Sequence, residues 1–313
     1  MTAKHVPAGG LTHENRNSRV TFEVPAGGVI DTMMGLPAAD RGSWRDTLLP
    51  LLRDKESRET FEHAAGYMFR DLPNTEGVTE AAPFLLEAMD AHHVQRGLVP
   101  VSFEDERARA LVSEHPGRFS GTYLVDPHAG RDGVAALRRA AAELGVVAAV
   151  AFPCGYVPQV PVNDHRMFPL YEACVDLGLP ICINAGVPGP RVPMAPQHVE
   201  LFDELCWAYP DLTVVMRHGG APWFDLAVML LRKWPNLYYS TSAYAPRRYP
   251  QEIVAFANGS GADKVIFAGY FPAGLTLDRI FAELPEVPLA PAVWPKFLRA
   301  NALRVFSLDD EPL

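Results

Sequence analysis

The sequence predicts an α/β fold and, within that class, the (β/α)8 TIM barrel. Short apolar runs alternate with helical patterns, eight such runs occur, and after the second run their starts lie roughly 25 to 33 residues apart, the length of one strand–helix unit. No linker or change of composition divides the 313 residues. A single domain over residues 1–313 is therefore expected; two smaller doubly wound domains are the alternative, for which the sequence offers no boundary.

The strands are predicted from runs rich in apolar and β-branched residues. In chain order the runs are Gly28–Met34, Val94–Val101, Phe119–Val125, Val146–Pro153, Leu179–Ala185, Leu212–His218, Asn236–Ser242 and Lys264–Tyr270. Strand then helix, repeated eight times, is typical of a parallel barrel with helices outside.

The intervening helices are predicted from their ends. We expect Asp164 to cap a helix that runs to Asp176 and is stopped by Gly178. Residues 130–144 and 222–234 form two more helices, the second with a proline near its first turn.

An insertion is predicted after strand 1, because about 60 residues separate the first two strands where later units need about half that number. The inserted segment is 36–78. It follows the end of a strand at which barrel enzymes keep their active sites, so a lid is one interpretation. A surface subdomain or an oligomer contact is the other.

The composition limits the classes of molecule that the protein is expected to bind. The chain carries 28 Lys and Arg against 37 Asp and Glu, a net charge of −9, which is a poor match to nucleic acid. The beginning of the sequence lacks the apolar stretch of a signal peptide, and no run is long enough to span a membrane. We therefore expect a cytoplasmic protein, with a small-molecule substrate and a possible homodimer.

The four cysteines form no C-x-x-C pair and lie in apolar surroundings. They are expected to be free thiols in a reducing compartment.

Candidate site residues are those at the carboxyl ends of the predicted strands, because these side chains surround the mouth of a barrel. His218 is the strongest acid/base candidate among them. The strand-end residues are Asp31, Met33, Gly35, Cys154, Tyr156, Asn184, His218, Tyr244, Arg247 and Tyr270, and Arg217, beside His218, is predicted to bind substrate.

Several stretches resemble the amidohydrolase-2 family, whose members include aminocarboxymuconate-semialdehyde decarboxylase and related decarboxylases and hydratases. The stretches include FPLYEACVDLGLPICINAG, YPDLTVVMRHGGAPW, KVIFAGYFP and RANALRVFSL. They occur in the family's order, one per strand, and the resemblance covers about Val29 to Leu308. It implies a metal-dependent barrel.

The resemblance also locates the family's metal ligands, and this sequence departs from all four. The family usually carries I-D-x-His-x-His at strand 1, P-x-x-x-His-x-G at strand 5 and F-G-S-D-Y-P at strand 8. The matching positions here hold Met33, Gly35, Asn184 and Tyr270. A thioether, a missing side chain, an amide and a phenol do not supply the ligands that a divalent ion prefers. We expect neither a metal nor another cofactor.

The strand-6 histidine of the family's decarboxylases is an acid/base, and it matches His218, so the resemblance implies that His218 is a proton carrier. A neutral imidazole in a partly dry pocket is expected to titrate near working pH. A His-Gly-Gly turn retained for packing is the alternative. Tyr270 and Asn184 are expected to hydrogen-bond a developing oxyanion, although each also fits a packing role. Asp31 is an orienting candidate.

The remaining strand-end residues are predicted to line the substrate site. Arg191, Arg247 and Arg248 lie in the loops after strands 5 and 7, where a guanidinium could clamp a carboxylate or simply be solvated. Cys154 has no nearby base that would make it a nucleophile.

Together these features predict a metal-independent lyase, decarboxylase or isomerase that acts on a small carbonyl or carboxylate compound. A metal-independent hydrolase or cyclase of secondary metabolism is one alternative. A non-catalytic barrel that binds a ligand or a partner protein is another. A former enzyme that has lost its activity would also lack the metal-ligand side chains.

Overall fold

The eight strands form one parallel sheet in chain order, as seen in a computed structural model that describes residues 22–37, 47–59, 68–69 and 72–310. The strands are β1 Val29–Asp31, β2 Val94–Pro100, β3 Phe119–Leu124, β4 Val146–Ala151, β5 Ile181–Asn184, β6 Val214–Arg217, β7 Leu237–Ser240 and β8 Val265–Ile266. The predicted TIM barrel and each of its eight strands are confirmed, with most strands shorter than the apolar runs that contain them.

The helices alternate with the strands in sequence, and the last two follow β8. They are α1 Lys55–Glu59, α2 Ala81–Ala91, α3 Glu106–Glu114, α4 Arg131–Glu143, α5 Phe168–Leu177, α6 Leu201–Ala208, α7 Phe224–Lys233, α8 Gln251–Asn258, α9 Leu277–Glu283 and α10 Asn301–Val305. Among the described residues, none of these helices has the length and apolar character needed to cross a membrane.

The predicted start of α5 is wrong, whereas its predicted end is confirmed. Asp164 does not cap the helix, because its carboxylate binds the guanidinium of Arg166 and the helix begins only at Phe168. Gly178 adopts the left-handed conformation (φ 65°) that ends a helix. The predicted helix 222–234 likewise begins later, at Phe224.

The barrel interior follows from the alternation of side chains along each strand. On β6, Val215 belongs to the inner cluster and Met216 to the outer layer that packs against the helices. Cys182 and Ile183 alternate in the same way on β5. The inner cluster of strand residues consists of Ile30, Leu98, Ala148, Cys182, Val215 and Ile266.

The sheet closes through contacts between the segments that follow β1 and β8. The Thr32 hydroxyl donates to the Phe267 carbonyl (2.8 Å), and the Tyr270 N–H donates to the Met33 carbonyl (3.0 Å). These bonds place the residues after β8 beside those after β1, at the carboxyl ends of the strands.

The described part of the insertion contacts the same end of the barrel. Leu48 is fully buried against Phe152 and Cys154, just after β4, and the Phe69 ring lies 5.6 Å from the Tyr270 ring. Residues 38–46, 60–67 and 70–71 of the predicted lid lie outside the described residues.

Candidate active site

His218 stands at the end of β6 in a constrained turn. Its backbone is in the left-handed region (φ 61°), which is uncommon for a residue with a side chain and clusters at functional sites. Gly219 continues the turn at φ 80°, and a Cβ there would come within 2.6 Å of the Tyr244 ring. The turn that carries the imidazole is therefore fixed by its backbone conformation and by the close packing of Gly219 against the Tyr244 ring.

The imidazole of His218 is oriented by Ser242, which follows β7. The His218 N–H donates to Ser242 Oγ (3.0 Å), and the same oxygen lies 3.2 Å from Nδ1. Because Oγ already accepts the backbone N–H, its own proton can be donated to Nδ1. In that arrangement the ring proton resides on Nε2, the nitrogen that Ser242 does not contact.

Burial first, and the nearby guanidinium of Arg217 second, lower the pKa of His218 to about 3. The imidazole is therefore neutral at physiological pH when no ligand is bound. The expectation that this histidine titrates near working pH is wrong for the ligand-free protein, because its surroundings penalise the charged ring.

Tyr270 faces His218 across the site. The two rings meet edge-on, with centroids 5.6 Å apart. Tyr270 also has a left-handed backbone (φ 69°). Burial raises the pKa of its phenol, so Tyr270 is a protonated hydrogen-bond donor at neutral pH.

Arg217 and Asn184 are paired neighbours on β6 and β5. Each lies two residues beyond an inner-cluster side chain, Val215 and Cys182 respectively, so both point into the barrel. Arg217 is 8% exposed and Asn184 is 9% exposed. Among the described residues, neither side chain makes a hydrogen bond or an ion pair, which leaves a guanidinium and an amide available at the ends of two adjacent strands.

The residues present do not fit the divalent ion that the resemblance implies. The four matching positions supply no imidazole, thiolate or carboxylate. In the part of the chain that the structure describes, no group of three or more His, Cys, Asp or Glu side chains is placed to hold a metal ion.

Asp31 lies between β1 and β8. Its Oδ1 accepts the N–H groups of Gly269 (2.8 Å) and Met33 (3.0 Å), whereas its buried Oδ2 has no partner among the described residues. A Cβ at Gly269 would come within 2.5 Å of Oδ2 and 3.1 Å of Ile280 on α9. The carboxyl thus lies on the helix side of the strands and holds the backbone beside Tyr270 in place.

Other predicted residues are occupied by protein contacts. Cys154 is fully buried, and burial raises its pKa to about 12, so it carries no thiolate at neutral pH. The Tyr156 hydroxyl donates to the Val125 carbonyl (2.9 Å).

Two of the predicted arginine clamps are paired with carboxylates. Arg191 binds Asp54 (2.9 Å) and Glu56 (2.8 Å), which links the loop after β5 to the insertion. Arg247 binds Glu286 (2.7 Å). Neither guanidinium is free in this structure to receive a substrate.

Sequence reasoning missed Ser242, and it predicted Phe69 only as an aromatic residue of the inserted segment. The run Ser240–Ser242, which begins at the last residue of β7 and carries three hydroxyl side chains, was a usable signal for Ser242. Phe69 belongs to the insertion and offered no pattern that would place it on Tyr270.

The comparisons with known proteins concern most of the chain. The amidohydrolase family matches residues 42–308. No protein of curated function matches the chain in sequence.

Solved structures share the fold. An uncharacterised TIM-barrel protein from Bordetella bronchiseptica superposes with a TM-score of 0.73 at 23% identity, covering 90% of this chain and 98% of the other. 5-Carboxyvanillate decarboxylase from Novosphingobium aromaticivorans, crystallised with manganese and a nitrobenzoic acid, gives a TM-score of 0.67 at 15% identity, with 90% and 96% coverage. 4-Oxalomesaconate hydratase from Rhodopseudomonas palustris gives 0.56 at 17% identity, with 90% and 96% coverage.

Proposed function

The chain belongs to the amidohydrolase family, and from that premise we propose that it is a metal-independent lyase that decarboxylates a small carboxylic acid bearing its own electron sink. The observation that carries the proposal is the pairing of a proton carrier with uncharged donors: His218, oriented by Ser242, faces the phenol of Tyr270. The decarboxylase and hydratase among the structural neighbours support this class of chemistry.

The four positions that match the family's ligands carry no imidazole, thiolate or carboxylate, which limits the substrates that this site can process. Without Lewis-acid help, the electron pair left by departing CO2 must be accepted by the substrate. A phenol ring or a β-keto group does this, because the negative charge spreads onto an oxygen. Tyr270 would donate a hydrogen bond to that oxygen.

The proposed step balances with one proton. Protonation of the ring carbon that bears the carboxylate is followed by cleavage of the C–C bond, whose electrons restore the ring as CO2 leaves. With the carboxylate bound, His218 takes up a proton from solvent, delivers it to that carbon through Nε2 and returns to the neutral imidazole. General acid catalysis of this kind contributes about 10²- to 10⁴-fold in rate.

The test is CO2 release from salicylate, 2,6-dihydroxybenzoate, 5-carboxyvanillate and acetoacetate by protein dialysed against a chelator. We expect turnover of at least one of these acids, unchanged by added Zn²⁺ or Mn²⁺. His218→Asn should lower kcat about 10²-fold or more while leaving the melting temperature within a few degrees. Ser242→Ala should lower it less, because Ser242 positions the ring and carries no proton to the substrate.

Three outcomes would contradict the proposal. Turnover that appears only with added metal would show that the site recruits an ion despite its ligands. Full activity in His218→Asn would assign the histidine to packing. If none of the four acids releases CO2, the result would favour a hydrolase or a non-catalytic barrel.

A further inference from the structure

We propose that Arg217 is the carboxylate-binding residue of this barrel, and that its guanidinium supplies the positive charge at the strand ends for which the family resemblance implies a metal ion. This inference deepens the proposed function, on which it rests for the chemistry that follows binding. It names the substrate class as a carboxylate held by Arg217 and Asn184.

The first step is the direction of the Arg217 side chain. Val215 lies in the inner cluster and Met216 in the outer layer, so alternation points Arg217 inward. Its charge acts on Tyr270, which follows β8, and on Cys182 of β5. The parallel pairing of Arg217 with Asn184 places both residues at the carboxyl ends of β6 and β5, and Asn184 occupies a position that matches one of the family's ligands.

The second step is the lack of a counter-charge. The titratable groups that face Arg217 are Cys182, Tyr270 and His218. Burial raises the pKa of Cys182 to about 11 and raises that of Tyr270, and the pKa of His218 is lowered. All three are neutral at pH 7, and within the described residues no carboxylate pairs with Arg217, so its charge is uncompensated.

The third step is the cost of that arrangement. Arg217 is largely buried (8% exposed) and makes no hydrogen bond to a described residue, and a charge removed from most of its water without a protein partner destabilises a fold unless a ligand completes it. The adjacent amide of Asn184 also lacks a partner among the described side chains. Planar N–H donors from Arg217 together with the Asn184 amide match the two oxygens of a carboxylate.

Carboxylate binding at Arg217 would also prepare His218. Arg217 is one of the two causes that lower the His218 pKa. A bound anion offsets that charge and allows the imidazole to take up a proton, so substrate binding and proton supply would be coupled through one guanidinium.

The experiment is calorimetric titration of the chelator-treated protein with benzoate, salicylate and malonate, and with the neutral analogues benzamide and salicylamide. We expect at least one carboxylate to bind wild type about 10-fold or more tightly than its amide. Arg217→Met should abolish this preference, with Arg217→Lys intermediate. Arg247→Met makes the same chemical change at an exposed arginine paired with Glu286 and should leave binding unchanged.

Unchanged carboxylate affinity in Arg217→Met and Arg217→Gln would overturn the inference, as would the absence of binding by all three carboxylates to wild type. Its failure is distinguishable from failure of the proposed function. Carboxylate binding through Arg217 without CO2 release would support this inference and contradict the proposed decarboxylase function. Decarboxylation that survives in Arg217→Met would do the reverse.

Discussion

Arg299 and Arg217 are buried at opposite ends of the barrel, 6% and 8% exposed. Arg299 lies at the amino ends of the strands, where it donates to the carbonyl of Gly27, to the Gln95 side chain (2.7 Å) and to Asp310 (2.6 Å). Arg217 lies at the carboxyl ends and, among the described residues, has no such partner. The two guanidinium groups are thus similarly buried, but within the described part of the chain only that of Arg299 is hydrogen-bonded by the protein.

The difference separates the end of the barrel that serves stability from the end that serves binding. Contacts at the amino ends of barrel strands generally stabilise the fold, whereas the carboxyl ends carry function. The hydrogen bonds of Arg299 tie the segment before β1 to β2 and to the residues after α10. Arg217 makes no hydrogen bond or ion pair with any described residue, which is why we propose that a ligand completes it.

The largest expected effect is the opposite response of the two arginines to the same substitution. Arg299→Met should lower the free energy of unfolding by about 3 kcal/mol, because it leaves the buried Gln95 side chain and the Gly27 carbonyl without their donor. Arg217→Met should raise it by about 1 kcal/mol or more, because it removes an unpaired buried charge. Urea denaturation of the two variants measures both changes.

Arg247→Met serves as the exposed control and should leave the unfolding midpoint within error. A loss of stability in Arg217→Met as large as that in Arg299→Met would break the comparison, because it would show that Arg217 also has a structural role.

The pH dependence of stability sharpens the comparison, because the carboxyl end of the barrel also holds a buried acid. Burial raises the pKa of Asp31 to about 7. The native state therefore binds a proton between pH 4 and 7 that the unfolded chain has released, so this group stabilises the fold at low pH and the contribution is lost as pH rises. Asp31→Asn should gain about 2 kcal/mol or more relative to wild type between pH 4 and pH 7.5.

His218 provides the control of opposite sign. Its lowered pKa means that the unfolded chain binds a proton between pH 3 and 6.5 that the native state does not, so its contribution to stability grows as pH rises through that window. His218→Asn should therefore lose stability relative to wild type as pH rises from 4 to 7. Parallel curves for wild type and Asp31→Asn would show that Asp31 is ionised in the native state across the range.

The sequence predicted the barrel well because the signals are local. Alternating strands and helices are set by neighbouring residues, and Arg217, His218 and Tyr270 could be placed at strand ends from their runs alone. The start of α5 failed because Arg166 competes for the Asp164 carboxylate, which a capping rule does not consider.

Which arginines are paired could not be predicted from the sequence. Arg191 binds Asp54, which is 137 residues away in sequence, and Arg247 binds Glu286, which is 39 residues away. Pairing at such distances depends on how the loops fold over the barrel. The orienting contact of Ser242 on His218 was missed for a related reason, since it joins two adjacent strands whose ends meet only in the folded barrel.

The smallest expected effect concerns Arg191, which the sequence offered as a clamp and the structure pairs with Asp54 and Glu56. If Arg191 resembles Arg299 in being satisfied, Arg191→Met should leave the affinity for the carboxylates unchanged within about 3-fold. Its partners are exposed, so the melting temperature should not change measurably. Hydrogen exchange of residues 54–59 should become faster, because the contact that holds this part of the insertion to the loop after β5 is lost.

Arg217→Met titrated alongside is the matched control, since the same ligands should lose their preference there. A 10-fold loss of carboxylate affinity in Arg191→Met would show that this guanidinium leaves Asp54 and Glu56 when the substrate arrives. Arg191 would then share the substrate with Arg217, and the division between satisfied and ligand-binding arginines would depend on the bound state as well as on position in the barrel.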